Sequence, residues 1–307
     1  MMFMPGKSWS AAVPPLSVEE EKIHDNLKRH VQTLAGEIGE RNVWRAGSLA
    51  AAETYIRSTL EQLGYRVRVQ SFESNGQSVH NLEIELQGSS APREIVVVGA
   101  HYDSVPDGPG ANDNGSGIAA LLEVARLLAG NTPARTLRLV AFVNEEQPFS
   151  GGDEMGSRVY AQRSRQRGEQ IRAMVSLETL GFYTEHPESQ HYPFPFNYFY
   201  PDTGNFVGFV GNLSSWRLVR KAIGAFRSTT AFPSEGIAAP EWVQGVGWSD
   251  HASFWEAGYP AIMVTDTAFF RYRHYHEATD TPEKLDYRSL SRVTRGLADV
   301  VGELAEI

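Results

Sequence analysis

The chain has 307 residues, 41% of them hydrophobic and 21% charged, which is the composition of an ordinary globular protein. Its 28 Lys and Arg against 37 Asp and Glu leave a formal charge of −9, which argues against a nucleic-acid backbone as ligand. The sequence holds no Cys, so disulfides, thiolate metal sites and a Cys nucleophile are excluded, and any metal must be held by His, Asp and Glu.

The N-terminal segment MMFMPGKSWSAAVPPL lacks an apolar core followed by a cleavage site. As written it is not a signal peptide, and the literal reading is cytoplasmic, export requiring a signal further upstream. Residues 1–16 are expected to form a loose arm, and 17–307 a single domain. Ser17-Val18-Glu19-Glu20 reads as a capping box, and Ile23, Leu27, Val31, Leu34 and Ile38 follow at helical spacing. A second helix is predicted over about 48–63, stopping at Gly64. YRVRVQSF and VHNLEIELQG alternate like half-buried antiparallel strands. EIVVVGA (94–100) is a continuous apolar run, as expected of a strand covered on both faces. The helix GIAALLEVARLLAG follows, then the strand TLRLVAFVNEE, the helix MGSRVYAQRSRQR and the strand IRAMVSLETLG. Residues 182–247 read as an irregular insertion, whose aromatic run (HYPFPFNYFYPDTGNF) is taken as packing in preference to a specificity pocket. YPAIMVTD supplies another strand, and a helix closes the chain over about 288–305. Alternation of strands and helices predicts an α/β domain, a mixed but mostly parallel sheet with helices on both faces. No stretch approaches the roughly 20 apolar residues of a membrane span.

Ligands of an open α/β sheet sit beyond the carboxyl ends of its strands. Here those ends carry His101 and Asp103, then Glu145 and Glu146, then Glu178. The loop after the first buried strand holds Asp113 within GANDNGSG, and His276 stands four residues before Asp280. Singly, each has an ordinary explanation: a capping pair, a turn-forming Asp, a solvated pair of Glu. Gathered at one point, five carboxylates repel, and burying one unpaired is costly or forces its protonation. Two divalent cations would offset that charge, and oxygen and imidazole donors suit zinc, manganese or cobalt.

The segments GAHYDSV, GANDNGSG, VNEEQ, SLETLG, SDHASFWEAGYPA and YHEATDTPEKL, in this order, resemble the M28 family of zinc peptidases, and the likeness extends over about residues 20–305. It implies a zinc-dependent aminopeptidase acting on peptides with a free N-terminus. Asp113 would bridge two Zn2+ ions, His101 and Glu178 completing one and Glu146 with His276 the other. Glu145 would be the general base, and Asp103 would accept from the far ring nitrogen of His101. Tyr275 matches the carboxypeptidase branch, where a Tyr steadies the oxyanion. Asp250 and His251 are expected to support the site, and His274 to be a solvated neighbour. The chain departs from the family in having Glu178 where Asp is common, and in a longer segment, QPFSGGDE, after Glu146. A carboxypeptidase or dipeptidase, a single-zinc glutaminyl cyclase, and a non-catalytic binding module remain alternatives on the same fold.

Overall fold

The computed structural model describes residues 3–307. The Ser17 hydroxyl accepts from the Glu20 N–H and the Glu20 carboxylate accepts from the Ser17 N–H, so the predicted capping box forms and opens α1 (Val18–Val31). The helix runs on into a wider turn at Gln32–Ile38 and buries Ile23, Leu27, Val31 and Leu34. α2 (Ala46–Gln62) ends before Gly64, whose φ of +89° suits a residue without a Cβ.

Eight strands form one sheet: β1 (Arg68–Ser74), β2 (Gln77–Leu86), β3 (Ala91–His101), β4 (Arg135–Phe142), β5 (Gln170–Glu178), β6 (Val207–Asn212), β7 (Ser234–Ala239) and β8 (Ala261–Thr265). Their order is β1-β2-β4-β3-β5-β8-β6-β7. The central run β4-β3-β5-β8 is parallel, while β2 meets β4 and β6 meets β8 antiparallel. The remaining helices are α3 (Gly117–Leu128), α4 (Gly156–Gln166), α5 (Trp216–Thr229), α6 (His251–Glu256) and α7 (Tyr287–Ala305).

Both faces of the central strands are covered, which explains their unbroken apolar runs. Val96, Val98, Leu139, Val175 and Val264 face the layer containing α1, α2, α3, α5 and α7. Their neighbours Val97, Val140 and Met174 meet Tyr160 of α4 and Phe254 of α6. Each such side chain, removed from water, stabilises the fold by about 1.5–3 kcal/mol before chain entropy is counted. Among the described residues, no helix is long and apolar enough to cross a membrane.

Two regions depart from expectation. Residues 182–206 are irregular apart from one short turn, but β6, α5 and β7 follow and extend the sheet by two strands. VGFVGN and SEGIAA carry too much Gly and Ala to read as strands, and only pairing with β8 makes them so. Residues 1 and 2 of the N-terminal arm lie outside the described residues; residues 3–16 hold no helix or strand, yet they are tethered. Ser8 Oγ accepts from the Ser234 N–H at 2.9 Å, Arg227 donates to the Pro5 carbonyl at 3.2 Å, and Arg292 donates to the Pro14 carbonyl. An edge strand leaves backbone donors free, and the arm takes one of them at the start of β7.

Candidate metal centre

The parallel strands deliver their carboxyl ends to one rim, and the polar residues gather there. His101 and Glu178 are the last residues of β3 and β5. After β4 the chain turns at Asn144, whose φ is +59°, and this turn brings the adjacent Glu145 and Glu146 to the same side. A straight strand would have sent them to opposite faces.

Asp113 precedes α3 in a loop whose side chains are buried stitches more than turn formers. Asn114 Nδ2 donates to the Leu177 carbonyl at 2.8 Å, and its Oδ1 accepts from the Thr179 N–H at 3.0 Å. Asn112 Oδ1 accepts from the Gly181 N–H at 2.8 Å. The Asp280 carboxylate accepts from the N–H groups of Asn112 and Asp113 at 2.9 and 3.0 Å, and from the Tyr272 hydroxyl at 2.8 Å. Beneath the loop, fully buried Arg41 donates to the carbonyls of Leu34, Gly39, Tyr102, Pro109 and Gly110. Neither Asp280 nor Arg41 was assigned a role from sequence. Both act on backbone groups more than 60 residues away, a relation that spacing does not encode.

Among the described residues, three groups of His, Asp and Glu atoms lie close enough to hold a cation: His101, Asp113 and Glu178; Asp113, Glu146 and His276; and His101 with Glu145 and Glu146. Asp113 uses its two oxygens differently. Oδ1 is 3.3 Å from His101 Nε2, which is itself 3.4 Å from Glu178 Oε2. Oδ2 is 3.1 Å from His276 Nε2, which is 3.3 Å from Glu146 Oε2. Glu145 Oε2 stands 3.8 Å from His101 Nε2. The buried atoms His101 Nε2, Asp113 Oδ1 and Glu146 Oε1 have no hydrogen-bond partner, which is costly for a closed core and usual in a ligand cradle.

The electrostatics agree. Burial raises the Glu145 carboxyl well above its ordinary range, helped by the charges of Glu178 and Glu146 and opposed by His101. Burial and the Asp113 charge push Glu146 up to about 8. Burial works against the charged form of His276, yet its bonds to Asp113 and Glu146 lift it to about 10. Burial likewise opposes charge on His101, and the carboxylates of Glu178 and Glu145 outweigh it. The Arg41 guanidinium lies in the field of Asp113 and Glu146 but is bonded to backbone carbonyls, so the cations in contact with the site carboxylates are these protonated imidazoles.

The supporting residues are placed differently from expectation in one case. His101 Nδ1 meets the Asp103 backbone carbonyl at 3.2 Å, and the Asp103 carboxylate is 3.5 Å away. That carboxylate instead accepts from the N–H groups of Glu145 and Glu146, each at 3.2 Å, because the turn after β4 leaves both donors free. Tyr275 stacks on the His276 ring at 3.9 Å, in the field of four site carboxylates. Asp250 and His251 are fully buried; His251 Nε2 meets the Val246 carbonyl at 2.8 Å and Asp250 lies in the field of His101 and Glu178. His274 bonds Thr279 at 2.7 Å and belongs to no candidate group. Ser249, which opens the SDHASFWEAGYPA segment, has no role assigned by the resemblance; its hydroxyl donates to Glu178 Oε2 at 2.7 Å.

A cavity of about 880 Å³, counting its open mouth, adjoins Glu178 and Tyr275. Tyr192, Phe196 and Tyr200 roof it, whereas Phe194, Tyr198 and Phe199 point to solvent. The aromatic run is therefore part of a pocket wall and not packing alone.

The sequence profile of peptidase family M28 matches residues 81–301. The protein YfbL of Escherichia coli (strain K12) is 34% identical over 298 residues, covering 94% of this chain and 90% of its own length. Curated relatives named as probable aminopeptidases are longer, and the chain spans 51–60% of their length. A zinc aminopeptidase from Bacillus subtilis superposes with a TM-score of 0.72 over 95% of this chain and 96% of its own, at 17% identity. A glutaminyl cyclase from Fimbriiglobus ruber does so with a TM-score of 0.68 over 96% and 98%, at 21% identity. Superpositions at such identities establish the fold, and that fold serves more than one chemistry.

Proposed function

The chain belongs to peptidase family M28, and from that membership we propose that it is an aminopeptidase holding two zinc ions in one site and releasing residues from free peptide N-termini. The observation that carries this reading is Asp113, whose two oxygens face two separate sets of donors. The residues suit the ions: the donors are oxygen and imidazole only, and three of them are buried without partners. His101, Asp113 and Glu178 would hold one zinc, and Asp113, Glu146 and His276 the other. When bound, the ions supply Lewis acidity toward the scissile carbonyl and the attacking water.

The chain's own groups account for the rest of the chemistry. Glu145 is buried, is assigned to neither proposed ion, and has its carboxyl raised by burial. Its Oε2 takes the proton of the attacking water and returns it to the leaving amine. Asp103 fixes the turn that aims Glu145 and Glu146. The Tyr275 hydroxyl, at the mouth of the adjoining cavity, donates to the carbonyl oxygen as charge develops there. The filled second set of donors favours this reading over a one-metal cyclase of the same fold.

The test is metal content measured with turnover of free and N-blocked peptides. About two zinc per chain, with chelator-sensitive release of the N-terminal residue from free peptides only, is the expected result. Release from N-blocked peptides alone would mean a carboxypeptidase. Ring closure of N-terminal Gln without release, at one zinc per chain, would mean a cyclase. Neither metal nor turnover would mean a binding module.

A further inference from the structure

A row of residues leads across the sheet from the metal centre. Glu178 of β5 pairs with Thr265 of β8, Thr265 with Gly208 of β6, and Gly208 with Glu235 of β7. Residues paired across a sheet send their side chains to the same face. Two glutamates therefore stand at the ends of the row, their backbones three strand spacings or roughly 14 Å apart. The floor between them is one threonine and one residue without a side chain. The direction of Glu235 is fixed independently by its neighbours. Arg227 Nε of α5 donates to Ser234 Oγ at 3.0 Å, and a Cβ on Gly236 would meet Ile223 of α5 at 3.0 Å. Ser234 and Gly236 thus face α5, and Glu235 faces the cavity, which it lines with Ile237.

The acidic side chains lining this cavity are Glu178 at its mouth and Glu235 at its far end; the walls between are chiefly apolar and aromatic. The Glu235 side chain keeps 25% of its exposure, and its nearest cation, Arg227, is 3.9 Å away. Arg227 is already engaged with Ser234 and the Pro5 carbonyl. We propose that this cavity receives the side chain of the substrate's N-terminal residue and selects a long one with a cationic tip, lysine or arginine, which Glu235 pairs.

The lengths agree. An α-amino group hydrogen-bonded beside Glu178 puts the substrate's α carbon roughly 4 Å from that carboxylate. A lysine or arginine side chain reaches about 6–7 Å further, and a charge-assisted hydrogen bond of about 2.8 Å closes the remaining gap to Glu235. Leucine, with a much shorter reach, would leave Glu235 with Arg227 at 3.9 Å and no partner inside the cavity. The aliphatic stem would lie on the apolar walls, and the cation would pass the faces of Tyr192 and Tyr200.

The inference rests on the aminopeptidase reading, so the experiment separates the two. The zinc-loaded chain is given lysyl, arginyl, leucyl, phenylalanyl and alanyl 4-nitroanilides, and binding of L-arginine amide and L-leucine amide is titrated calorimetrically. Expected is a preference for lysyl and arginyl substrates, with the Lys-to-Leu ratio of kcat/KM falling roughly ten- to a hundredfold in Glu235→Gln. Gly208→Val is the second variant. Its Cβ would sit 3.4 Å from Thr265 and Thr267, a tolerable contact, and its methyls would stand in the row. It should cut lysyl turnover more than alanyl turnover. Equal or better cleavage of leucyl and phenylalanyl substrates, or a ratio insensitive to Glu235, overturns the assignment while leaving the aminopeptidase intact. If no substrate is cleaved, the aminopeptidase reading fails, and titration alone decides the cavity. Arginine amide bound at least tenfold more weakly by Glu235→Gln sustains the assignment, and unchanged binding overturns it.

Discussion

Two groups of buried carboxylates share this sheet and are neutralised in different ways. On β2, the side chains of Glu83 and Glu85 are 9% and 11% exposed, much like Glu178 and Glu145 at 9% and 10%. Arg138 reaches Glu85 at 2.9 Å and Glu169 at 2.8 Å, Arg68 reaches Glu83 and Glu85 at 3.3 and 3.0 Å, and the Tyr160 hydroxyl donates to Glu83 at 2.6 Å. Burial alone would raise the Glu85 carboxyl, but bonds from Arg138 and Arg68 bring it below the ordinary range. At the rim the direction reverses, and Glu145, Glu146 and Glu178 are all raised, burial being the first cause. The nearby guanidinium of Arg41 is committed to backbone carbonyls. The first group carries its cations in the chain and is structural; under the proposed function, the second receives them from outside it.

The sharpest way to separate the groups is to remove one carboxylate's charge from the second. Glu145→Gln should lower kcat roughly 10²–10⁴-fold, the usual contribution of a positioned general base. Zinc content, measured by atomic absorption, should stay at the wild-type value, and the melting temperature should not fall. Full activity in this variant would remove Glu145 from the proposed mechanism.

Removing a cation from the first group should do the opposite. Arg138→Met leaves Glu85 and Glu169 without their closest partner in a setting where Arg138 is 12% exposed. Breaking such a pair costs about 3 kcal/mol, which for a chain of this size lowers Tm by roughly 5 °C. The kcat of whatever stays folded at 25 °C should be little changed. Differential scanning calorimetry and a turnover assay on the same sample measure both, and a large loss of kcat at unchanged Tm would join the two groups functionally.

The pH response sharpens the comparison further. In the metal-free chain His276, at about 10, and His101, also raised, are protonated at neutral pH. Both must lose protons to ligate, and Glu146, at about 8, loses one as well, so zinc uptake at pH 7 should release at least two and affinity should climb by at least about a hundredfold per pH unit. For stability the sign is also set. A His raised by its partners stabilises the metal-free fold fully below its unfolded value, near 6.5, and that contribution disappears as pH rises through about 10. The Tm drop on adding chelator should therefore grow between pH 6.5 and 9. A drop that shrinks with rising pH would contradict the assignment of His101 and His276 as the proton-bearing ligands.

The two groups were also unequally legible in the sequence. His101 and Glu178 stand directly after apolar runs that read as buried strands, so their convergence follows from parallel pairing, while Glu146 needs the turn at Asn144 as well. The role of Asp103 needed the turn at Asn144, whose two free N–H groups outcompete the His101 ring for its carboxylate. Ser249 and Asp280 act across 71 and 168 residues of chain, and β6 and β7 are strands only because β8 offers an edge. The arginines of the first group left no trace at all, since Arg68 on β1 and Arg138 on β4 read as ordinary polar positions of a strand.

The smallest effect tests whether every arginine in that first group matters. Arg68 contacts the same two glutamates as its neighbours do, but its side chain is 54% exposed. Water screens it, and holding a long side chain in place offsets much of the attraction, so Arg68→Ala should cost at most about 1 kcal/mol. Raising the salt to 1 M, where the Debye length is about 3 Å, should erase most of that difference. The Arg138→Met deficit should persist in the same salt, because its partners lie under the sheet's covering helix layer and are little screened. A salt-insensitive Arg68→Ala deficit as large as that of Arg138→Met would show that burial does not decide which of these pairs carries stability.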